Sequence, residues 1–233
     1  MKVWVYVEGV ADERALQALW ASWLDALRLK GRGIKIVPLD DKSRFFGKIG
    51  HRAAEKLCAS EDDVVVGLPD LYPSSGFEHT PYRHSDLDEL RNVQVRCVRK
   101  ALMEVYGLSR TRADAALDRF LPSALKHDLE MLLLAAKEQL RRYLHTSDRL
   151  GTWRRPVEDQ DQEHPPKRVV EDLFRTKSAK KRAYRDTRDA SGILRTTSDI
   201  KAVLYDEQGR LQCPVFKEML EWIGSRTGVP ACS

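Results

Sequence analysis

The stretch that decides the fold is MKVWVYVEGVADE, residues 1–13, in which an apolar run ends at Glu8. Val, Trp and Tyr fill this run, a pattern typical of a strand buried on both faces. Residues 11–29 carry apolar side chains at three- and four-residue spacing, which predicts an amphipathic helix with Asp12 and Glu13 in its first turn. A buried strand thus delivers a carboxylate to the point where the backbone turns.

The same arrangement recurs in VVVGLPD, residues 64–70, where an apolar strand is followed by Asp70. The remaining predicted elements are a strand from Ile34, a helix over 46–59, a helix over 86–106, a strand near 119–125 and a helix from His127. Strands that alternate with helices indicate an α/β fold with a mainly parallel sheet flanked by helices. Because ligands bind beyond the carboxyl ends of such strands, Glu8 and Asp70 are expected at one edge of the sheet.

Composition narrows the class of protein. The 233 residues suffice for one α/β domain with a helical annex, and the net charge of +5 permits a polyanionic partner. The cysteines are scattered without a C-x-x-C motif, so neither a disulfide framework nor a zinc site is expected. No apolar run approaches the roughly twenty residues that span a bilayer, and the N-terminus lacks the order of a signal peptide. We therefore expect a cytoplasmic protein without a membrane partner.

Three regions are predicted along the chain. Residues 1–145 form an α/β core, 146–165 a polar connector, and 166–233 a basic helical C-terminal region that packs on the core. Lys and Arg crowd the segment 167–195, with aromatic residues between them. This distribution suits nucleic acid, although a solvated helix face explains most of these charges equally well.

Two carboxylates at one sheet edge, in a chain without a glycine-rich phosphate loop, predict a hard divalent cation. Mg²⁺ binds one or two protein carboxylates and completes its shell with water and phosphate oxygens. It polarises a phosphoryl oxygen and lowers the pKa of a bound water. Glu8 alone is equally compatible with capping of the following helix, and Asp70 on a matching strand end favours the metal.

Four stretches carry a resemblance to a known family: VYVEGVADERAL (5–16), VVVGLPDLYP (64–73), LPSALKHDLEMLLL (121–134) and CPVFKEMLEWI (213–223). From Val3 to Trp222 the chain resembles a Toprim-related bacterial family of uncharacterised proteins. That family is often encoded beside an ATPase and is similar to the Toprim nuclease domain of OLD (overcoming lysogenization defect) proteins. The V-E-G-x-x-D-E opening is typical of Toprim, whereas H-x-x-E and C-P-x-F point to the narrower family.

The resemblance implies a Toprim-like, Rossmann-like sheet in which Glu8 matches the Toprim glutamate and Asp70 the first acid of a D-x-D motif. In Toprim nucleases, primases and topoisomerases these acids bind Mg²⁺. The resemblance therefore implies a nuclease that uses Mg²⁺ or Mn²⁺ on DNA or RNA, with a partner ATPase, in a phage-defence or toxin-like system. Tyr72 stands where the second acid of D-x-D is expected, so one carboxylate of a full two-metal site is missing.

Two alternative functions remain open. The first is a catalytically decayed Toprim scaffold that serves as a nucleic-acid-binding or regulatory subunit, which the loss of the second acid motivates. The second is a phosphoryl-transfer enzyme acting on a nucleotide or another small phosphate ester, for which a closed, narrow pocket is expected in place of an open basic groove.

Further candidate site residues surround the two strand ends. His127 and Glu130 are three residues apart and are predicted to share one face near the start of a helix. Glu130 is a candidate third metal ligand, because an unpaired carboxylate in an apolar run is costly. His127 is a candidate proton shuttle, phosphate contact or neighbour of the ligands, with a local backbone bond as the alternative. Asp12, Glu13 and Tyr72 are expected around the metal ligands.

Basic and aromatic side chains are candidates for holding phosphate groups. The expected contacts are Lys126, Lys167, Lys181, Tyr184 and Arg185. Among these, Tyr184 and Arg185 are the first candidates, because the resembling family carries a Tyr and a basic residue at these positions.

Overall fold

The computed structural model of the protein describes residues 1–72, 75–197 and 199–232, and it confirms the predicted α/β class with a parallel sheet. The strands are β1 (Lys2–Val7), β2 (Gly33–Pro38), β3 (Val64–Leu68) and β4 (Phe120–Pro122). The helices are α1 (Val10–Leu19), α2 (Ala21–Leu29), α3 (Lys42–Ala59), α4 (Leu87–Glu104), α5 (Arg110–Leu117), α6 (Glu130–Ala135), α7 (Lys137–Tyr143), α8 (Pro166–Thr176), α9 (Asp186–Arg195), α10 (Lys201–Leu204) and α11 (Pro214–Thr227).

The four strands lie in the order β2-β1-β3-β4, and every pair is parallel. The register pairs Val7 of β1 with Leu68 of β3, so these two strands end at the same level. An isolated bridge between Asp70 and Leu125 extends the pairing of β3 and β4 beyond their ends. Glu8 and Asp70 therefore emerge side by side at the carboxyl edge of the sheet.

Helices cover both faces of the sheet because the side chains of each strand alternate between the two faces. Val3, Val5 and Val7 are fully buried in a core shared with α1, α6, α9 and α11. Tyr6 and Val65 point to the other face, into a core shared with α3 and α4. The C-terminal helices thus complete the first core and face the same sheet as α1.

Two predicted helices are interrupted in the structure. The helix expected over 11–29 is divided at Trp20, whose fully buried ring stacks on Phe216 at 6.2 Å between centroids. The helix expected from His127 begins only at Glu130 and breaks again at Ala136. The prediction that His127 lies on a helix face was wrong, because sheet pairing keeps the chain extended as far as residue 125.

Two short helices, α5 and α10, were not predicted. Helix α5 shows almost no amphipathic pattern in RTRADAAL, and α10 has only four residues, so neither carries a clear periodic signal. Within the part of the chain that the structure describes, none of the helices combines the length and the apolar character needed to cross a bilayer.

Candidate functional site

The carboxylates at the ends of β1 and β3 are fixed by backbone hydrogen bonds. The Asp70 N–H donates to Glu8 Oε1 at 3.0 Å, which joins the two strand ends directly. Gly9 precedes α1, and its N–H donates to Asp12 Oδ2 at 2.8 Å. Asp12 therefore has one oxygen engaged in capping the helix, and its carboxyl group is held next to the turn that carries Glu8.

Two further carboxylates come from the segment before α6. Asp128 Oδ2 accepts a hydrogen bond of 3.2 Å from the Lys167 N–H at the start of α8. Asp128 Oδ1 is buried and has no hydrogen-bond partner among the described residues. Glu130 begins α6 and is only 3% exposed, although it carries a carboxyl group. Both acidic side chains are therefore in a buried environment, where an ionised carboxyl group lowers the stability of the fold.

These five side chains form what we call the carboxylate cluster: Glu8, Asp12, Asp70, Asp128 and Glu130. Electrostatic repulsion links Asp70 to Glu8, Asp12 and Asp128. It also links Asp12 to Glu130, and Glu130 to Asp128. The cluster therefore brings together acids from three separate chain segments, including the predicted ligands Glu8, Asp70 and Glu130.

Burial raises the pKa values of the two strand-end acids. It raises the pKa of Glu8 from 4.5 to about 7, against the opposing effects of Lys42 and the Asp70 N–H. Burial followed by repulsion from Glu8 and Asp12 raises the pKa of Asp70 well above its ordinary value. Without a further cation, these groups therefore hold protons at a pH where exposed carboxyl groups are ionised.

The other three acids behave in the same way. Burial is the first cause for each, and it raises the pKa of Asp12 to about 6 and that of Asp128 to about 7. Repulsion from Glu130 adds to both shifts. The pKa of Glu130 is raised by burial although Lys167 and Tyr184 act against the shift. For all five acids the effect of burial exceeds that of the neighbouring positive charges.

Two lysines flank the cluster on different sides. Lys42, the first residue of α3, donates from Nζ to the Leu71 carbonyl at 3.1 Å and is attracted by Glu8 and Asp70. Lys167 Nζ lies 3.8 Å from Asp186. Burial lowers the pKa of Lys167, but the combined attraction of Glu130, Asp186, Asp128 and Glu171 exceeds this effect and raises it. The Lys167 side chain is 48% exposed, so its ammonium group remains accessible to a ligand.

His127 and Tyr72 pack against each other beside the cluster, with ring centroids 5.5 Å apart. His127 is 3% exposed, and its Nδ1 has no hydrogen-bond partner among the described residues. Burial and then the charge of Lys126 lower its pKa, so the ring is neutral at pH 7. A buried polar atom normally has a hydrogen-bond partner, and a ligand or a water molecule would provide one for this nitrogen.

Tyr184 also faces the cluster. Burial, and then Glu130, raise the pKa of its phenol, and the buried hydroxyl lies beside the Glu130 carboxyl group. The segment that carries it is held by fully buried Asp189, which accepts hydrogen bonds of 2.6 and 2.9 Å from Arg182 and one of 2.8 Å from the Arg185 N–H. This anchorage fixes Tyr184 against Glu130.

Some predicted site residues lie apart from the cluster. Glu13 accepts a hydrogen bond of 3.2 Å from Gln17 on the surface of α1. Lys126 forms an ion pair of 2.6 Å with Asp159. The exposed side chains of Lys181 and Arg185 make no ion pair with any described residue, and Arg185 contributes its backbone to the Asp189 network. Of the predicted phosphate contacts, Lys167 and Tyr184 face the carboxylates.

Sequence reasoning missed Asp128 and Lys42. Asp128 stands inside the quoted HDLE stretch, but attention to a helix face drew the prediction to His127 and Glu130. Lys42 lies four positions beyond the end of β2, on the loop side of the carboxyl edge to which the rule for Glu8 and Asp70 applies. Its approach to the Leu71 carbonyl depends on how α3 leaves the sheet, which the sequence does not show.

The donor set suits a hard divalent cation, since it consists of carboxylate oxygens, one of which is buried without a partner. In the described part of the chain no three His, Cys, Asp or Glu side chains already stand in a metal-holding arrangement. Mg²⁺ does not require such a cage, because it binds through one or two carboxylates and keeps several waters. The residues therefore fit a cation with a mainly aqueous shell.

Comparisons with known proteins complete the description. A solved structure entitled "C-terminal region of the Xanthomonas campestris pv. campestris OLD protein phased with iodine" is similar at 16% identity, covering 84% of this chain and 94% of that chain with a TM-score of 0.31. That TM-score is too low to support an argument about function. No curated protein matches the sequence. A family model described as "Domain of unknown function (DUF4276)" matches residues 7–224, so the chain belongs to this family.

Proposed function

We propose that the protein is a Mg²⁺- or Mn²⁺-dependent nuclease that hydrolyses phosphodiester bonds of DNA or RNA at the carboxylate cluster. The observation that carries the proposal is the convergence of five carboxyl groups with raised pKa values at the carboxyl edge of a parallel sheet. Burying like charges together costs stability unless a cation offsets it, and such clusters concentrate at functional sites. A structural role does not account for this cost.

The chain's own residues have distinct roles in this proposal. Glu8 and Asp70 bind the cation, and Asp12, Asp128 and Glu130 hold its waters. Bound there, the cation supplies a polarised phosphoryl oxygen and a water of lowered pKa. Lys167, with its exposed ammonium group, contacts a phosphate of the substrate. Tyr184 lies against Glu130 and orients its carboxyl group.

Two cavities of the described residues lie away from the carboxylate cluster. A cavity of about 810 Å³ lies between α6, α7 and α10, and one of about 620 Å³ lies between α3 and α4. Neither is lined by the carboxylate cluster. A partner ATPase remains part of the proposal, as an assembly that delivers nucleic acid to the site.

The test is a cleavage assay on the purified chain, alone and with a co-expressed ATPase if one is encoded beside it. We expect supercoiled plasmid, single-stranded DNA or RNA to be cut in Mg²⁺ or Mn²⁺ and to stay intact in EDTA. A buffer with Ca²⁺ in place of Mg²⁺, free of Zn²⁺, is the matched control. We expect no cleavage in it, because Ca²⁺ takes more oxygen ligands in a looser geometry. Equal cleavage in EDTA would contradict the proposal.

A second candidate function is a scaffold that binds nucleic acid without cutting it. Tyr72 favours it, because a tyrosine with its ring against His127 replaces an expected carboxylate. This candidate requires that calorimetry detect no binding of Mn²⁺. Binding that disappears in the Asp70→Asn variant would exclude it.

A further inference from the structure

Basic side chains form a row along the outer side of α3. They stand at four-residue intervals, so each lies one turn of the helix beyond the previous one. The helix begins beside the carboxyl edge, where Lys42 donates to the Leu71 carbonyl, and it ends shortly before the start of β3. We call the following residues the basic row, which is about 18 Å long at the rise of an α-helix: Arg44, Lys48, Arg52 and Lys56.

The far end of the basic row lies over the indole ring of Trp4 in β1. The Lys56 Nζ atom is 4.5 Å from the ring centroid. Two strand residues add their ammonium groups, Lys2 at 4.7 Å and Lys35 of β2 at 5.4 Å from the same centroid. No two of the three groups are therefore more than about 10 Å apart, which is the Debye length at 0.1 M salt. An anion bound between them would offset their mutual repulsion.

The Asp63 carboxylate beside this ring is already hydrogen-bonded. It accepts from the Trp4 Nε1–H at 3.1 Å and from the Lys2 backbone N–H at 2.8 Å. The side chains of Lys2 and Lys35 are exposed and form no ion pair with any residue that the structure describes. Both ammonium groups can therefore take a ligand anion without giving up an internal ion pair.

The members of the basic row pair with acids that a phosphate can replace. Asp40 and Asp41 pair with the two members nearest the start of α3, and Glu55 pairs with the other two. The side chains of Arg44 and Arg52 are 64% and 54% exposed. Exposed ion pairs of this kind stabilise a fold only slightly. The positive charges of the row thus stay available to a ligand with several negative charges.

The chemistry and the length of this surface favour a chain of phosphates as its ligand. A lysine ammonium group is a compact point charge that suits phosphate, and the cations around Trp4 are all lysines. Successive phosphates of one strand in a duplex are about 3.4 Å apart along the axis, so the length of the basic row matches about five of them. Cations beside an aromatic ring are also typical of surfaces that hold nucleic acid strands.

We infer that the sugar-phosphate backbone of a nucleic acid lies along the basic row, from the carboxylate cluster to Trp4. This inference rests on the proposed function, because it names the part of the substrate that is held while the bond at the cluster is cut. The basic row lies on the α3 side of the sheet. The predicted phosphate contacts Lys167 and Tyr184 belong to segments that pack on the opposite side, so a strand at the cluster meets cations in both directions.

The test measures binding by fluorescence anisotropy in EDTA, so that no bond is cut. The probes are labelled single-stranded DNA and RNA of four and of twelve nucleotides. We expect the longer probe to bind at least about tenfold more tightly, because only this probe spans the row. Lys2→Gln combined with Lys35→Gln should weaken binding of the longer probe about tenfold and lower the slope of log affinity against log salt by about one.

Arg110→Gln combined with Arg112→Gln is the matched control. Both arginines are exposed on α5 and form no ion pair with a described residue, and this double variant loses the same charge. We expect it to bind the longer probe within about twofold of the wild type. Thermal unfolding of both double variants checks that they are folded.

Equal affinity of the wild type and the variant at Lys2 and Lys35 would overturn the inference. An equal loss in the control would overturn it too, since it would show a general effect of net charge. Poly-glutamate that binds as tightly as the longer probe would mean that the surface recognises acidic polypeptides instead. If the variant fails to fold, equal binding of the two probes by the wild type contradicts the inference. Absence of metal-dependent cleavage would contradict the proposed function alone, because the binding measurements contain no metal.

Discussion

The Asp70→Asn substitution is expected to reduce metal-dependent cleavage by about a thousandfold or more, and to raise the thermal stability of the metal-free protein at alkaline pH, where Asp70 loses its proton. A metal ion contributes several kcal/mol of transition-state stabilisation, and about 1.4 kcal/mol corresponds to tenfold in rate. In its ionised form Asp70 is repelled by Glu8, Asp12 and Asp128. Asn keeps the shape of the side chain but carries no negative charge. It therefore binds the cation more weakly and does not add to the repulsion between the acids.

The gain in stability separates a metal ligand from a structural acid. Relief of about 1 kcal/mol of repulsion raises the midpoint of unfolding by about 2–4 °C for a chain of this size. Glu8→Gln should behave alike, because its amide oxygen still accepts the Asp70 N–H. Glu13→Gln is the matched control, next to Asp12 but bonded to Gln17 at the surface. Wild-type cleavage by Asp70→Asn in the assay, or a large loss of stability, would contradict the assignment.

The metal-free protein is expected to lose stability as the pH rises from about 5 to about 8. Three of the shifted groups are Glu8, Asp12 and Asp128, with pKa values of about 7, 6 and 7 in the folded chain. Each binds more protons folded than unfolded between its ordinary pKa and the raised one, so the free energy of unfolding falls as the pH passes through that range. The combined change is on the order of several kcal/mol.

Urea denaturation in EDTA at several pH values measures this effect. His127 acts in the opposite direction, because its lowered pKa makes the folded chain bind fewer protons near pH 6, but it is a single group. Asp189, with a pKa of about 2, contributes stability that is lost only in stronger acid. Saturating Mg²⁺ should flatten the pH profile, since it stabilises the ionised carboxylates. Stability that rises between pH 5 and 8 in EDTA would contradict the description of the cluster.

The sequence predicts the centre of this site well because its signals there are local. Buried strands read as apolar runs, and the parallel arrangement brings Glu8 and Asp70 to one edge whatever the details of the helices. Both strands and both acids lie where they were predicted. The roles of these acids as metal ligands remain predictions.

The rest of the site depends on long-range packing, which local patterns do not specify. Asp128 is held by the Lys167 N–H, thirty-nine positions further along the chain, and Tyr184 by the network around Asp189. The helix expected from His127 was displaced because Leu125 pairs with Asp70 in the extended sheet. The periodicity of the sequence does not reveal that strand pairing extends through the single bridge between Asp70 and Leu125. For this reason the sequence predicts His127 on a helix face.

The central claim is that the carboxylate cluster binds a catalytic cation. A crystal of the protein soaked in Mn²⁺ and measured at the manganese absorption edge tests this claim most directly. We expect an anomalous peak beyond the ends of β1 and β3, within ligand distance of Glu8 and Asp70. The absence of a peak at this edge in a fully soaked crystal, or peaks found only elsewhere on the protein, would contradict it.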